Sequence, residues 1–516
     1  MSETPGAKTR TVGDIMSSPA ITATAQESIA QVAKQMEELN MGSVVVVDDH
    51  SVVGILTERD IVHFASSGAD PSQAKVQDWM TPNPETVAPS VEVSEGWRSL
   101  ATKGYHHVPV VDETGLVGII SMTDLMKVSQ IRPIENNLTD VPKGLENVVV
   151  AETSIGDVRG LEGFYHYRQY SATELAEKKS LEDVWYLFFE GRLPNKQESE
   201  EFSQEIRSLR ALPENIKDLL PEIVKAGDQF VALDALRTAV SLFTYALDFK
   251  PTLDIDATQL RRNAMQVSSV IATLVMALYR ISNGQQPIDP HPELGHAANY
   301  MYMLTGQIPS PEVSRAVEKY LISVIDHGFN ASTFTARVIT STGADLGAAV
   351  VGAIGALSGP LHGGAPSRAL DMLDAIQKPE NAEAWIRNKV QAGERIMGFG
   401  HRVYKTDDPR SLMLRQVAID LGGDIVDFAQ QVESQVVSIL AELKPGRRLY
   451  TNVEFYAGVV LNRCGIPREL FTPTFVASRV IGWSTHVLEQ AADNRLIRPS
   501  ARYIGSPPPQ PVEEFD

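Results

Sequence analysis

Most of the chain beyond residue 144 has the spacing of apolar residues that is typical of helices. From about Ser171 to Tyr320, apolar side chains recur every three or four positions, and few stretches alternate apolar and polar residues as strands do. The clearest examples are LEDVWYLFFEGRLP, NAMQVSSVIATLVMALYRI and SRAVEKYLISVIDHG. The pattern therefore predicts that this large second part is mainly α.

A short apolar segment in the same part is unusually rich in small residues. Leu346–Leu357 consists largely of Ala, Gly and Val, and Gly359-Pro360 follows it. Small side chains let helices approach closely, and a Gly-Pro pair ends a helix. We therefore predict a buried helix that ends just before His362. The segment is far shorter than the roughly 20 residues of a membrane span, and the other apolar runs are also expected to be too short.

The first part of the chain has a different pattern because it repeats itself once. Residues 11–65 and 75–128 each contain a V-x-D-x-M opening, an amphipathic helix, two strands around an acidic turn and a closing helix, at a period of about 64 residues. Two units of this kind can stack so that each covers an apolar face of the other. The repeat predicts an α/β pair over residues 11–129.

The remaining segments are predicted to lack a fold of their own. Residues 1–10 are small and polar and are expected to be disordered. Residues 130–143 carry two prolines and two asparagines without apolar periodicity, which is typical of a linker. Residues 144–505 form the large part, and the proline-rich residues 506–516 are expected to be an extended tail.

Composition narrows the possible partners and the compartment. The 516 residues include 65 acidic and 46 basic side chains, a net charge of −19, which argues against binding nucleic acid. Cys464 is the only cysteine, so the chain has no internal disulfide and no cysteine-based metal site. The N-terminus has no apolar segment. We therefore expect a cytoplasmic protein that does not associate with membranes.

Each repeat contains the pattern Gly-hydrophobic-x-Ser/Thr-x-x-Asp. It reads GILTERD at residues 54–60 and GIISMTD at residues 118–124. Asp60 and Asp124 could accept hydrogen bonds from ribose hydroxyls, while Thr57 and Ser121 at a helix N-terminus could contact phosphate. The alternative is purely structural, because a hydroxyl followed three residues later by a carboxylate also caps a helix. Arg59 occurs only in the first copy and could neutralise a phosphate.

The repeat pair resembles a tandem cystathionine-β-synthase-type (CBS) domain pair, a regulatory module that binds adenosine-containing ligands. The resemblance implies an adenine nucleotide effector, with a candidate site formed by Thr57, Arg59, Asp60, Ser121 and Asp124. Many such pairs serve only as dimerisation surfaces. A nucleotide site and an assembly role are therefore both left open by the sequence, as are the identity of the nucleotide and the sign of its effect.

The second part carries three histidines in special turns, a carboxylate and three arginines, which together make a chemically coherent set. Neutral histidines can donate hydrogen bonds to carbonyl oxygens, carboxylates can remove a proton next to a carbonyl, and arginines bind carboxylates in a bidentate manner. The set consists of His327, His362, His401, Glu454, Arg410, Arg479 and Arg498.

Residues 144–505 resemble citrate synthase, including the related 2-methylcitrate synthases. The motifs DHGFNAST, GPLHGG and GFGHRVYKTDDPR occur in the family's order, starting at residues 326, 359 and 398. The resemblance implies a mainly α two-domain fold with a small mobile domain at about residues 365–465. It also implies acetyl-CoA and oxaloacetate as substrates and no metal or redox cofactor.

The resemblance also assigns a role to each residue. His362 would hydrogen-bond the thioester carbonyl, and His401 would polarise the ketone of oxaloacetate. The oxaloacetate carboxylates would be held by His327, Arg410, Arg479 and Arg498. Arg498 would reach in from a second subunit, which implies a homodimer, and the CBS pairs could associate such dimers further. Coenzyme A would lie beside Ile396, Met397, Gly398, Phe399 and Gly400.

One position departs from the family. Where the family has aspartate as the base in the motif N-V-D-F-Y, this chain has Glu454. Its carboxylate has a similar basicity but a stem longer by one methylene, and a misplacement of roughly 1 Å can cost about 10²-fold in rate. The sequence favours citrate synthase, with 2-methylcitrate synthase acting on propionyl-CoA as the alternative. A non-catalytic nucleotide sensor is the alternative of another class.

Overall fold

The computed structural model describes residues 11–39, 41–49, 51–93, 107–121, 143–145, 148–362, 365–401, 404, 406–444 and 449–506. Several predictions lie outside these residues: the disordered N-terminus 1–10, residues 130–142 of the linker, residues 507–516 of the tail, the helices of the second repeat, and Asp124. The chain divides into two compact units, of which one comprises Met1–Gly144 with Arg502–Asp516 and the other Leu145–Ala501.

The first unit alternates strands with helices, as its sequence pattern predicts. Its helices begin after hydroxyl residues that cap them, Ser28 and Thr57. The described elements are β1 (Thr22–Ala23), α1 (Ile29–Glu38), β2 (Ser43–Asp48), β3 (Ser51–Thr57), α2 (Glu58–Ser66), β4 (Thr81–Pro82), β5 (His107–Asp112) and β6 (Gly115–Ser121).

The two repeats have the same strand register. In the first repeat Ser43 pairs with Thr57, and in the second His107 pairs with Ser121, so every pair is displaced by the 64-residue period. The irregularity that follows Val46 in β2 recurs after Val110 in β5. The predicted repeat is thus a repeat of backbone pairing as well as of composition.

The openings of the two repeats are exchanged. β4, which follows the second opening, pairs with β3 of the first repeat, while Ser17 of the first opening pairs with Ile119 of the second repeat. The apolar residues follow the same rule, because Val76 is buried in the first repeat's core and Val12 in the second's. Each repeat therefore completes its core with a segment of the other.

The glycine of the repeated pattern makes room for this exchange. A Cβ atom on Gly54 would lie 2.2 Å from the Sδ atom of Met80, and one on Gly118 would lie 2.6 Å from the Sδ atom of Met16. Both methionines belong to the V-x-D-x-M opening of the other repeat. The glycine of one sequence pattern thus packs against the methionine of the other, and this contact joins the two repeats.

The second unit begins with a short antiparallel sheet and continues as a mostly helical structure. The strands are β7 (Gly156–Arg159), β8 (Phe164–Tyr167) and β9 (Tyr170–Ser171). The helices are α3 (Ala172–Lys178), α4 (Leu181–Glu190), α5 (Lys196–Ser208), α6 (Glu214–Lys217), α7 (Leu220–Lys225), α8 (Ala232–Ala246), α9 (Ala257–Ser282), α10 (His296–Thr305), α11 (Pro311–Val324), α12 (Ala331–Ser341), α13 (Leu346–Leu357), α14 (Ala365–Ile376), α15 (Pro379–Gln391), α16 (Pro409–Leu421), α17 (Asp424–Leu443), α18 (Val453–Arg463) and α19 (Phe471–Ala492).

The core of this unit is built on long helices that are apolar on more than one face. α9 and α19 pack along each other, and α12 and α13 pack together and against α19. The predicted buried helix is confirmed as α13, which ends at Leu357. The expectation that all apolar runs are too short for a membrane is wrong for α9, which has sufficient length and hydropathy, but 78% of its apolar window is buried inside the protein.

Helices α14 to α18 contact one another more than they contact the rest of the unit, through the pairs α16 with α18, α14 with α18, and α15 with α17. They correspond to the region predicted as a small mobile domain, although its motion stays a prediction. The mainly α fold preceded by an α/β pair is confirmed. The candidate site lies where α14 to α18 meet α11 and α19.

Candidate active site

His362 lies just beyond α13 and contacts the beginning of α12. Its Nε2 atom is 3.3 Å from the backbone nitrogen of Ser332 and 2.8 Å from the Ser332 hydroxyl. Ser332 is in the first turn of α12, where a backbone N–H has no partner within its helix. A backbone N–H can only donate, so Nε2 is the acceptor and the ring proton is on Nδ1.

The surroundings of His362 keep its ring neutral. Partial burial, together with the positive charge of Arg479, lowers the pKa of His362 to about 4. The positive end of the α12 dipole acts in the same direction. His362 is therefore a neutral imidazole near pH 7, with an Nδ1–H group that can donate to an oxygen atom.

His327 and His401 form a second group of rings around Tyr404. The ring centroids of the two histidines are 5.6 Å apart, and the hydroxyl of Tyr404 lies 3.0 Å from His327 Nε2. Burial and the neighbouring Arg410 hold the pKa of His327 well below its ordinary value. The structure thus brings together the two histidines that are expected to contact oxaloacetate.

The orientation of His401 is set by the chain that follows it. Its Nδ1 atom accepts a hydrogen bond from the backbone N–H of Tyr404 at 3.1 Å, so the proton of a neutral ring is on Nε2. Nε2 lies 3.4 Å from Arg410 Nη2. A guanidinium can only donate, so in this tautomer the contact joins two donors and is not a hydrogen bond. His401 Nε2 and Arg410 therefore face the same small volume, and both can donate to oxygen atoms there.

Arg410 is held by a residue that the sequence analysis did not select. The Asp408 carboxylate accepts from Arg410 Nε at 3.0 Å and from Nη2 at 2.8 Å, and both residues are buried. The second carboxylate oxygen also accepts from the backbone N–H of Val453 at 3.1 Å. Asp408 thus joins the arginine to the start of α18. The only hint in the sequence is its position two residues before that arginine.

Glu454 occupies the first turn of α18, next to this junction. Asn452 caps the helix and accepts from the backbone N–H of Glu454 at 3.1 Å. Burial raises the pKa of Glu454 to about 7, and Arg410 only partly opposes this effect. Within the described part of the chain, the Glu454 carboxylate has no hydrogen bond or ion pair. It is a carboxylate with free acceptor capacity and a pKa near neutrality.

The loop predicted to contact coenzyme A is paired with the strand-like segment before α18. Asn452 donates its backbone N–H to Gly398 O at 2.9 Å and its side-chain amide to Gly400 O at 3.0 Å. Phe399 and Thr451 form an isolated antiparallel β-bridge. Gly398 and Gly400 both have φ above +80°, which favours glycine. Ile396 is buried and Met397 is partly buried. The loop and Glu454 therefore form one hydrogen-bonded assembly.

Arg479 enters from α19, on the opposite side. Its Nε atom donates to Val324 O at 2.7 Å, and its guanidinium lies 4.5 Å from the centre of the Phe475 ring. Burial lowers the pKa of Arg479 to about 10, and the nearby Asp326 carboxylate opposes this. Asp326 in turn accepts from His486 Nε2 at 3.2 Å. Arg479 remains a cation close to His327 and His362.

Arg498 is the one predicted residue that is not brought to this cluster within a single chain. It follows α19 in an irregular segment and is exposed. The segment is fixed to the end of α12, because Ile497 donates its backbone N–H to Ser341 Oγ at 3.1 Å. Its expected role across a subunit interface stays a prediction.

In the first unit, the repeated pattern forms the cap that was its structural alternative. The Asp60 carboxylate accepts from the Thr57 backbone N–H at 2.9 Å and from the Thr57 hydroxyl at 2.7 Å. Arg59 is exposed beside them, and Ser121 ends β6. Asp124 lies outside the described residues. Nucleotide binding at these positions stays a prediction.

Metal-ligating side chains are not clustered in the part of the chain that the structure covers: no group of three or more His, Cys, Asp or Glu residues with suitable geometry occurs there. The side chains that do converge are suited to binding carboxylates and to moving a proton next to a carbonyl.

Comparison with known families agrees with this chemistry. Residues 144–500 match the family described as "Citrate synthase, C-terminal domain". Residues 12–67 and 76–130 match the CBS domain family.

Characterised relatives resemble the second unit over most of their own length. Citrate synthase 2 of Bacillus subtilis is 38% identical over 377 residues, covering 72% of this chain and 98% of the relative. Citrate synthase of Deinococcus radiodurans is 37% identical over 370 residues, covering 72% and 97%. The 2-methylcitrate synthase of Mycobacterium tuberculosis is 38% identical over 377 residues, covering 73% and 94%.

Solved structures give the same result. Citrate synthase from Thermotoga maritima superposes with a TM-score of 0.64 at 36% identity, covering 73% of this chain and 98% of its own. Citrate synthase from Thermoplasma acidophilum, in its ternary complex with carboxymethyl coenzyme A and oxaloacetate, superposes with a TM-score of 0.68 at 27% identity, covering 72% of this chain and 98% of its own.

Proposed function

The chain belongs to the citrate synthase family and is an enzyme with citrate synthase activity, and we propose that it joins acetyl-CoA to oxaloacetate under the control of its CBS pair. One observation carries the proposed chemistry: a neutral histidine with a free donor, His362, occurs in the same site as Glu454, a carboxylate with free acceptor capacity. The family membership sets aside the non-catalytic alternative.

In the first step, Glu454 removes a proton from the carbon next to the thioester carbonyl. Its pKa near 7 makes Glu454 a stronger base than an ordinary carboxylate. A general base is most effective when its pKa lies near the working pH, which is about 7. His362 donates its Nδ1–H to the thioester oxygen, where negative charge develops as the enolate forms. The backbone N–H of Ser332, at the start of α12, donates to His362 Nε2 and thereby keeps the ring proton on Nδ1.

In the second step, the new carbon nucleophile attacks the ketone of oxaloacetate. His401 donates from Nε2 to the ketone oxygen as it becomes an alkoxide, and that oxygen ends as the hydroxyl of the product. Arg410, Arg479 and His327 hold the substrate carboxylates. Water then cleaves the citryl thioester, which releases citrate and CoA, while the helical region α14–α18 closes over the site.

The length of Glu454 favours acetyl-CoA over propionyl-CoA. As the proposed base, Glu454 would bring its additional methylene, compared with the family's aspartate, close to the reacting carbon, where propionyl-CoA carries its extra methyl group. One such group is worth about 1–3 kcal/mol in a pocket. The 2-methylcitrate synthase of Mycobacterium tuberculosis is as similar to this chain as the citrate synthases are, and it supports propionyl-CoA as the second candidate.

The ratio of kcat/KM for the two thioesters tests this preference. We expect the wild-type protein to favour acetyl-CoA, and the Glu454→Asp variant to shift the ratio toward propionyl-CoA by about 10-fold. A wild-type preference for propionyl-CoA would identify the protein as a 2-methylcitrate synthase.

We propose a homodimer in which Arg498 of each chain completes the other chain's site. Within one chain Arg410 is neutralised by Asp408, and Asp326 offsets Arg479, so a substrate with two carboxylates lacks a further cation. The surface of the second unit supports a contact, because Tyr245 on α8 is 84% exposed and lines an open groove of about 490 Å³ together with Leu242 and Val351.

Complementation tests the shared site. The Arg498→Ala and His362→Ala variants should each be nearly inactive. When they are mixed under conditions that allow subunit exchange, half of the dimers are hybrids with one intact site each, and about a quarter of the wild-type activity should return. No recovery, in hybrids shown to form, would place Arg498 outside the partner's site.

We propose that an adenine nucleotide binds the CBS pair and changes the activity of the synthase. Two features support it. Both copies of the pattern are present, and the start of α2 lies close to the second repeat, since a Cβ on Gly42 would be 3.5 Å from both Glu58 Oε1 and His107 Cε1. Calorimetry and activity measurements with ATP, AMP, NADH and CoA on the full chain test it. Unchanged activity and no heat of binding would leave the pair with an assembly role.

A further inference from the structure

Glu433 connects three other side chains behind the segment that carries Glu454. It lies on α17, and its Oε1 atom accepts from the Thr451 hydroxyl at 2.7 Å. Its Oε2 atom accepts from the Tyr456 hydroxyl and lies 3.1 Å from Arg415 Nε. Only 15% of the Glu433 side chain is exposed. One carboxylate is therefore the acceptor for three donors from two other parts of the chain.

The two hydroxyl donors lie on either side of Glu454. Thr451 precedes it by three residues and Tyr456 follows it by two, so both oxygens of Glu433 are attached to the same short segment at different points. Tyr456 is fully buried, and its side chain therefore cannot move independently of the first turn of α18. The backbone of Thr451 also forms a β-bridge with Phe399 in the predicted coenzyme A loop.

We propose that Glu433 is a positioning residue, which fixes the first turn of α18 and thereby the place of the Glu454 carboxylate. The inference rests on the proposed role of Glu454 as the base. Glu433 acts through geometry and not through its charge, because the charges that influence Glu454 are those of Arg410, Asp408 and Arg368.

The position of the base matters more in this chain than the chemistry of the carboxyl group. Its longer stem gives the Glu454 carboxylate one more rotatable bond than aspartate would have, so the backbone must be held more firmly for the same accuracy. A displacement of about 1 Å in a reacting group can cost about 10²-fold in rate. The Asp408 anchor on Val453 holds the segment at one point, and Glu433 adds two more.

Kinetics of Glu433 variants in the full chain test the proposal. Glu433→Ala should lower kcat about 10- to 100-fold, while the KM for oxaloacetate stays within about 2-fold because His327, Arg410 and Arg479 are untouched. Glu433→Gln keeps an acceptor for Thr451 and should lose less. The acid limb of the kcat profile, near pH 7, should not move, because the charge on Glu454 is governed by other residues.

Glu442→Ala is the matched control. Glu442 lies on the same helix and forms a bidentate ion pair with Arg387 at 2.8 and 2.6 Å, and among the described residues it has no hydrogen bond to residues 451–456. Its replacement removes a carboxylate and its two hydrogen bonds from the exposed side of the same helix and should leave kcat unchanged. Tyr456→Phe, which removes one hydroxyl and keeps the buried ring, provides a milder test if Glu433→Ala does not fold.

The outcomes separate the inference from the proposed function. Equal kcat values for Glu433→Ala, Tyr456→Phe and the control would overturn the positioning role, as would a loss of kcat accompanied by an equal rise in the KM for oxaloacetate. If Glu454→Gln retained the wild-type kcat, the proposed role of Glu454 would fail instead. A low kcat for Glu454→Gln with unaffected Glu433 variants rejects the positioning role alone.

Discussion

The polar residues of the CBS pattern and those of the synthase site are used in opposite ways. Thr57 and Asp60 bond each other in a helix cap, so the Thr57 donors and one Asp60 oxygen are used by the fold. Glu454 and the Nδ1 side of His362 keep theirs, although both residues are partly buried. Buried capacity without a partner is costly, and it marks a place where a ligand is expected. A recognisable motif is therefore not equally informative in the two units.

Removing the carboxylate of Glu454 should give the largest effect and separate activity from stability. Glu454→Gln should lower kcat about 10³-fold because the base is lost. In the folded wild-type protein the pKa of Glu454 is about 7, above the ordinary 4.5. The Glu454 carboxyl therefore favours folding fully below about pH 4.5, and this contribution to stability disappears as the pH rises through 7. At pH 8 the variant should therefore be more stable than the wild type by about 1–3 kcal/mol.

Denaturant unfolding at pH 8 and at pH 4.5 measures the stability difference. At pH 4.5 the Glu454 carboxyl is protonated in the folded protein, and the two proteins should unfold alike. A variant that is less stable than the wild type at pH 8 would mean that the carboxylate has a structural partner, as Asp60 does.

The exchange of the CBS openings should give the next largest effect. In Gly54→Ala the new methyl group would displace the Met80 side chain, and we expect a loss of about 1–3 kcal/mol in the unfolding free energy of the first unit, with kcat unchanged. Hydrogen exchange of β3 amides in the full chain measures it.

Two double variants show whether the pairing is specific. Met80→Ala in the Gly54→Ala background should restore part of the protection, because it empties the occupied space. Met16→Ala in the same background should not, since Met16 faces Gly118. Equal recovery in both would contradict the matched pairing.

The pH dependence of turnover should follow the base and not the histidine. The value of kcat should fall about 10-fold per pH unit below about pH 7, because Glu454 becomes protonated. His362, with a pKa of about 4, stays neutral over this range. Stopped assays between pH 5.5 and 9 measure this limb. If the acid limb were unchanged in Glu454→Asp and shifted in variants of Ser332, the titrating group would be His362 instead.

The smallest effect is expected from the cap in the first unit. Asp60→Asn weakens a charged cap and should cost about 1 kcal/mol of stability, measured by calorimetric unfolding without nucleotide. If the second carboxylate oxygen serves a ribose, the same variant should also lose the stabilisation that saturating ATP or AMP gives to the wild type. Equal stabilisation of both proteins would confine Asp60 to its structural role.

The sequence was informative where local pattern and chemistry agree. The apolar run of α13, the 64-residue repeat and the turns around His362 and His401 depend on neighbouring residues, and all could be predicted in place. The roles of these residues came from the family resemblance and remain proposals.

Contacts between distant segments could not be predicted in the same way. Asp408 stands near its arginine in the chain, but nothing local indicates that it also holds the start of α18. Glu433 lies 18 residues from one of its donors and on another helix. The apparent boundaries of the two repeats also gave no sign that their openings are exchanged, since the pairing of Gly54 with Met80 depends on tertiary structure.

The exchanged openings have a consequence for how such a pair can arise. A single ancestral repeat, expressed alone, would have an incomplete core and would complete it only by trading its opening with a second copy, as in a domain-swapped dimer. Gene duplication followed by fusion would then join two partners that already depended on each other. In that history two associated repeats, and not one repeat, have always been the unit of folding, and a lone repeat cut from this chain should associate with itself.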